Sequence, residues 1–185
     1  MQQLISAILT ALITFGAWLG IPCQVRGPER MTDEQAKILA ADLLEQAYEV
    51  FSVYYGGIPG DHEDMGDGTF RVGENPYGIH SIADVKAFIE KTYTKEFAQE
   101  HHYASSNDPT ECGMFFEKDG ELYFRVLATG IGSILYTETA KVISQTKDKL
   151  IITLDRGDGG DDPASKIRWN LKWEDNTWKL DCWPF

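Results

Sequence analysis

The chain has 185 residues, and its 29 acidic against 17 basic side chains give a net charge of −12. That balance disfavours nucleic acid and anionic membranes as partners and favours solubility or a basic partner. Aromatic residues at 12% and charged residues at 25% are ordinary for a packed globule and exclude a disordered chain. The length suits one domain once about 20 residues of targeting sequence are set aside.

Leu4 to Pro22 is almost continuously apolar, and Met1 to Pro22 contains no charged side chain. This length lies between a secretory signal and a membrane span, so residues 1–22 read as a signal peptide, with an uncleaved N-terminal anchor as the other reading. Pro22 in front of Cys23 argues against a lipoprotein signal. Residues 23–31 form a polar tether containing Gly27-Pro28, and residues 32–185 form a single domain. The expected location is secreted or cell-surface, with membrane contact only through the N-terminal segment.

Thr32-Asp33-Glu34-Gln35 has the form of a capping box, with two acids in the first helical turn. Ala36, Leu39, Ala40, Leu43, Ala47, Phe51 and Tyr54 follow at three- and four-residue steps, which predicts one long amphipathic helix closed by Gly56-Gly57. Between Gly56 and Gly78 lies a stretch rich in Gly, Pro and acid, read as a loop. Asp61, Glu63, Asp64 and Asp67 cluster there around His62, either as a solvated loop or as a site for a cation or a basic partner. The spacing is not that of an EF-hand. Ser81 caps a second helix with inner residues Ile82, Val85, Phe88 and Ile89, and Thr94 opens a short third helix. The adjacent His101 and His102 point about 100° apart on a helix and read as surface residues.

Beyond Pro109 the period changes from helical to alternating. Cys112–Glu117 and Glu121–Leu127 flank the Lys118-Asp119-Gly120 turn, and Thr137–Gln145 and Lys149–Leu154 flank Thr146-Lys147-Asp148. In the third pair Ile167, Trp169, Leu171 and Trp173 alternate with polar residues, Asp175-Asn176 makes the turn, and Trp178, Leu180 and Cys182 alternate with Lys179, Asp181 and Trp183. Helices followed by hairpins define an α+β domain, with N-terminal helices packed on one face of a curved antiparallel sheet of about six strands.

Two more loops stand out. Ala128 to Tyr136 reads ATGIGSILY, with Gly130, Ile131, Gly132 and Ser133 at its centre. Asp155 to Asp162 carries acids at Asp155, Asp158, Asp161 and Asp162 and reads either as a solvated hairpin loop or as a Ca²⁺ or partner site. Cys112 and Cys182 are either a disulfide between the first and last strands or two small buried thiols. The sequence has no phosphate-binding loop, nucleophile elbow, zinc-protease motif or Cys-x-x-Cys pair. Tyr48, Tyr93 and Tyr123 are the groups an acid–base enzyme of this shape would draw on. The sequence implies no catalytic residue, no cofactor and no metal.

The order of parts resembles the IseA-type inhibitors of bacterial DL-endopeptidases over roughly residues 32–185. The features are the signal-like segment, the helix ending in aromatics, Phe70-Arg71-Val72, Lys91-Thr92-Tyr93-Thr94-Lys95, Phe116-Glu117-Lys118-Asp119-Gly120, and the final Trp178-Lys179-Leu180. The general shape is also similar to nuclear-transport-factor-2-like and cystatin-like domains. The inhibitor resemblance implies a secreted, monomeric protein that binds cell-wall cysteine endopeptidases and restrains autolysis by placing a Gly-containing loop in the peptidase cleft. By order along the chain that loop falls on Ala128 to Tyr136, with Gly130, Gly132 and Ser133 matching. The family's acid is absent from it, and Ile131 stands at the tip. The alternative is a nuclear-transport-factor-2-like pocket domain, binding a small molecule or acting as an isomerase-like enzyme; a third reading is a cell-surface structural module. A deep apolar cavity would favour the pocket domain and a filled core the inhibitor.

Overall fold

A computed structural model describes residues 28–103, 110–125, 134–157 and 165–185. The signal or anchor segment therefore lies outside the described residues, as do Cys23, Gly130, Ile131, Gly132, Ser133, Asp158, Asp161 and Asp162.

Helix α1 spans Asp33–Gly56, and the capping box closes in both directions: Gln35 N donates to Thr32 Oγ1 while Thr32 N donates to the Gln35 side chain. After it come strands β1 (His62–Asp64) and β2 (Thr69–Val72), then helices α2 (Ile82–Glu90) and α3 (Lys95–His101), capped by Ser81 and Thr94. The remaining strands are β3 (Glu111–Cys112), β4 (Phe115–Lys118), β5 (Glu121–Arg125), β6 (Ile134–Gln145), β7 (Lys149–Gly157), β8 (Ser165–Glu174) and β9 (Thr177–Leu180). The fold is α+β with antiparallel strand pairing.

The strands do not form one sheet of about six. Among the described residues nine strands make two antiparallel sheets, one ordered β1-β2-β5-β4-β3 and the other β6-β7-β8-β9. The stretch after α1, expected to be a loop, supplies two of the extra strands, because β2 finds its partner in β5. Two tight turns follow from residues that tolerate positive φ: Asp119 and Gly120 sit at 54° and 82°, Asp175 and Asn176 at 52° and 63°.

Helix α1 lies along β6, its buried stripe of Ala36, Ala40, Leu43 and Ala47 facing Ala140, Ile152 and Trp169 in one continuous core. Small residues at Ala36, Ala40 and Ala47 let the helix approach closely, and the indole of Trp169 occupies the sheet side. The helix start is tied to the strand by Val142 N donating to Asp33 Oδ1 at 2.9 Å and Met31 N donating to Gln145 Oε1 at 2.7 Å. A bulge between Tyr136 and Lys141 is stitched by Thr139, whose hydroxyl donates to Tyr136 O and accepts from Asp155 N. On the far edge, Thr94 N donates to Leu180 O and Leu180 N to Thr92 O, so the turn between α2 and α3 covers β9.

Candidate functional site

The stretches singled out in the sequence leave from strand ends that are paired two by two. Thr69 at the start of β2 pairs with Arg125 at the end of β5, so the β1–β2 turn stands beside the departure of segment 126–133. That segment returns at Ile134, which pairs with Gly157; Arg156 in turn pairs with Ser165, where segment 158–164 returns. Segment 126–133 therefore links the two sheets, leaving beside the β1–β2 turn and returning beside the departure of segment 158–164.

In the β1–β2 turn the carboxylates shape the backbone. Asp64 Oδ1 accepts from Gly66 N at 2.8 Å, and Asp67 Oδ1 accepts from Thr69 N at 3.0 Å and from the Thr69 hydroxyl. These bonds, the hydroxyl first, hold the Asp67 carboxyl below the usual carboxylate range, with Arg125 adding a smaller attraction. Glu63 binds Arg71, whose guanidinium also clamps Glu121 at 2.8 and 3.0 Å. Asp61 pairs its backbone with Glu74 and Gly73, and Asp155 stands 3.7 Å from Lys166. Among the described residues no group of three His, Cys, Asp or Glu side chains is arranged to hold a metal. Two large apolar side chains at these strand ends face solvent, Met65 at 47% exposure in the β1–β2 turn and Ile134 at 49% beside Gly157.

The groups expected to offer chemistry elsewhere are placed otherwise. Cys112 and Cys182 are free thiols, so the disulfide reading is corrected. Cys112 is buried on β3 of the five-stranded sheet, while Cys182 follows β9 of the other sheet and exchanges hydrogen bonds with the Asn170 backbone. Burial pushes their thiols up to about 12 and about 11, the opposite of a nucleophile's requirement. Tyr93 is fully buried and its phenol is pushed up by desolvation. Tyr123 stacks on Phe116 at 5.4 Å, and Tyr48 packs on Phe185 at 5.0 Å.

Two side chains expected on the wet surface are buried. Lys179 is neutralised in place by Asp175 at 2.8 Å and Glu174 at 3.5 Å. His102, read as a surface residue, sits at the C-cap of α3 at 2% exposure among Tyr54, Tyr93, Phe97 and Trp183. The signal for His102 was its spacing: it falls four residues after Ala98, which itself follows Thr94 by four, on the inward stripe of the helix.

No family model matches the chain, and no curated protein matches it.

Proposed function

We propose that this chain is an exported, non-enzymatic binding protein that inhibits bacterial cell-wall DL-endopeptidases by placing its loop-bearing edge in the substrate cleft. The observation that carries the reading is that segment 126–133 runs from Arg125, beside the turn that bears exposed Met65 and its turn-forming carboxylates, to exposed Ile134. Exposed apolar side chains ringed by charge are the anatomy of a recognition surface. The packed inner face of α1 favours a binder over a pocket domain, since Ala36, Ala40, Ala47 and Trp169 are buried against one another in a continuous core. Net negative charge speeds encounter with a basic cleft rim, an effect that salt screens.

The test is titration of the chain into a wall-hydrolysis assay containing a DL-endopeptidase, at low and at raised salt. Saturable inhibition that weakens with salt is expected, and Ile131→Arg and Ile134→Arg should each abolish it while leaving circular dichroism unchanged. Absence of inhibition at micromolar protein overturns the function. Full inhibition by both variants overturns the edge as its location.

A further inference from the structure

Among the described residues His102 alone has buried side-chain polar atoms with no hydrogen-bond partner: neither Nδ1 nor Nε2 has one. In either neutral tautomer one N–H and one lone pair are therefore left without a protein partner in a buried site. The residue is held there by its own backbone, whose carbonyl accepts from the Tyr54 hydroxyl at 2.8 Å. Ring centroids of Tyr93, Trp183, Tyr54 and Phe97 stand 4.9, 5.0, 5.1 and 6.3 Å from the imidazole.

Three of these four walls belong to the core. The fourth, Trp183, is 39% exposed and belongs to the C-terminal tail. The tail is fastened at three further points: the Cys182 thiol exchanges hydrogen bonds with the Asn170 backbone, Trp169 Nε1 donates to Pro184 O at 3.0 Å, and the Phe185 ring lies against Tyr48 at 5.0 Å and Phe51 at 5.7 Å. These are ring contacts, one hydrogen bond from an indole and two weak ones to a thiol. The sheet it crosses is held by the full β7–β8 ladder.

The charged and titratable groups around the box leave the imidazole without a counter-charge. From α1 comes Tyr54, from the turn after α2 Tyr93, and from β3 Cys112, which neighbours Tyr54. On its own segment His101 adds like charge when protonated, and the Tyr103 hydroxyl is bonded to Glu90 at 3.1 Å. From the tail side come Cys182 and Asp181, the latter bonded to the Thr94 hydroxyl at 2.6 Å. None of these reaches the ring nitrogens.

We propose that residues 182–185 form a proton-operated strap: uptake of one proton by His102 drives the Trp183 indole off the imidazole and releases the tail, while the core between α1 and the sheet stays folded. Burial, with a smaller contribution from His101, lowers the His102 pKa from 6.5 to about 4 in the closed form. A group whose folded pKa is depressed below its free value resists protonation while closed. For this cationic acid the closed form is therefore fully favoured above about 6.5 and loses ground as pH falls toward 4. The open-to-closed ratio should rise about tenfold per pH unit across that window, the slope of a single proton. Opening bares the faces of Tyr93 and Phe97 together with the imidazolium.

The experiment is a pH titration of the full chain followed by histidine side-chain NMR, indole fluorescence and far-UV circular dichroism together, with Trp183→Phe used to assign the indole signal. An unprotonated His102 persisting well below pH 6.5, then an indole change of one-proton slope with the far-UV signal retained, is the expected result. His102→Phe should erase the indole change, and Trp183→Ala should return the His102 pKa toward 6.5. The proposal is overturned if His102 titrates near 6.5 in the intact protein. It is equally overturned if the acid-induced indole change survives in His102→Phe, or if the far-UV signal is lost in step with the indole signal. Should His102→Phe fail to fold, the Trp183→Ala shift decides the matter by itself.

Discussion

The two sheets of this molecule are held by different means. In the four-stranded sheet β7 and β8 pair without interruption from Lys149 and Lys172 to Arg156 and Ser165, and their inward residues include Leu150, Ile152, Leu154, Trp169 and Leu171, all essentially inaccessible. In the five-stranded sheet the strands have two to five residues. There a single inner row runs Phe70, Phe124, Phe115, Cys112 across four strands, and the outer row Glu63, Arg71, Tyr123, Phe116, Glu111 crosses all five. The first sheet is stabilised by buried area, which scales with apolar surface removed from water. The second depends more on turn geometry, stacked rings such as Phe70 on Phe124 at 5.3 Å, and the charged row on its open face. In a sheet of that kind the strand ends are set by local bonds.

The largest effect should come from the four-stranded sheet. Trp169→Ala removes a fully buried indole and its bond to Pro184 O, and is expected to cost about 3–5 kcal/mol. Denaturant unfolding measures this, with a lowered midpoint at unchanged slope. A loss below about 1 kcal/mol would mean that burial is not what distinguishes the two sheets.

Next comes the five-stranded sheet, where a backbone requirement replaces buried area. Gly113, between β3 and β4, has φ of 58°, and a Cβ there would overlap the Tyr54 hydroxyl. Gly113→Ala therefore forces a strained conformation and pushes Tyr54 off the His102 carbonyl, at a cost of about 1–3 kcal/mol. The same unfolding experiment ranks it: a loss equal to that of Trp169→Ala would erase the contrast between the sheets.

The contrast also decides what could be read from the sequence. Alternation of Ile167, Trp169, Leu171 and Trp173 with polar neighbours is a period-two signal on a half-buried strand, and β8 and β9 form where it stands. Helix α1 was legible from its capping box to its closing glycines. Strands β1 and β2 were not, because His62–Asp64 is exposed throughout and Thr69–Val72 is partly buried throughout, leaving no alternation to detect. Their pairing depends on β5, far along the chain, and on Arg71 reaching Glu121. At the candidate edge the acids Asp64 and Asp67 were legible as residues, whereas their role in shaping the turn depends on Gly66 and Thr69. His102 was misread because one of the four rings around it, that of Trp183, comes from the distant C-terminal tail. Local pattern places a residue on a helix; it does not say which distant segment will lie across it.

The smallest effect should be at the Arg71 clamp, and its smallness is informative. Arg71 binds Glu63 and Glu121 in good geometry, which raises its own pKa through those hydrogen bonds, yet the guanidinium and both carboxylates are largely in water. Solvent-exposed pairs gain little, because water solvates the separated charges nearly as well and salt screens what remains. Arg71→Met should therefore leave the unfolding midpoint nearly unchanged, with any difference vanishing at raised salt. It should nonetheless alter the edge, since the substitution leaves Glu63 and Glu121 facing each other across the outer row without their shared cation. In the wall-hydrolysis assay this added negative charge should strengthen the salt dependence of inhibition while stability stays constant. A large drop in stability from Arg71→Met would instead show that the clamp organises the five-stranded sheet, and that ion pairing there does the work that buried tryptophan does in its neighbour.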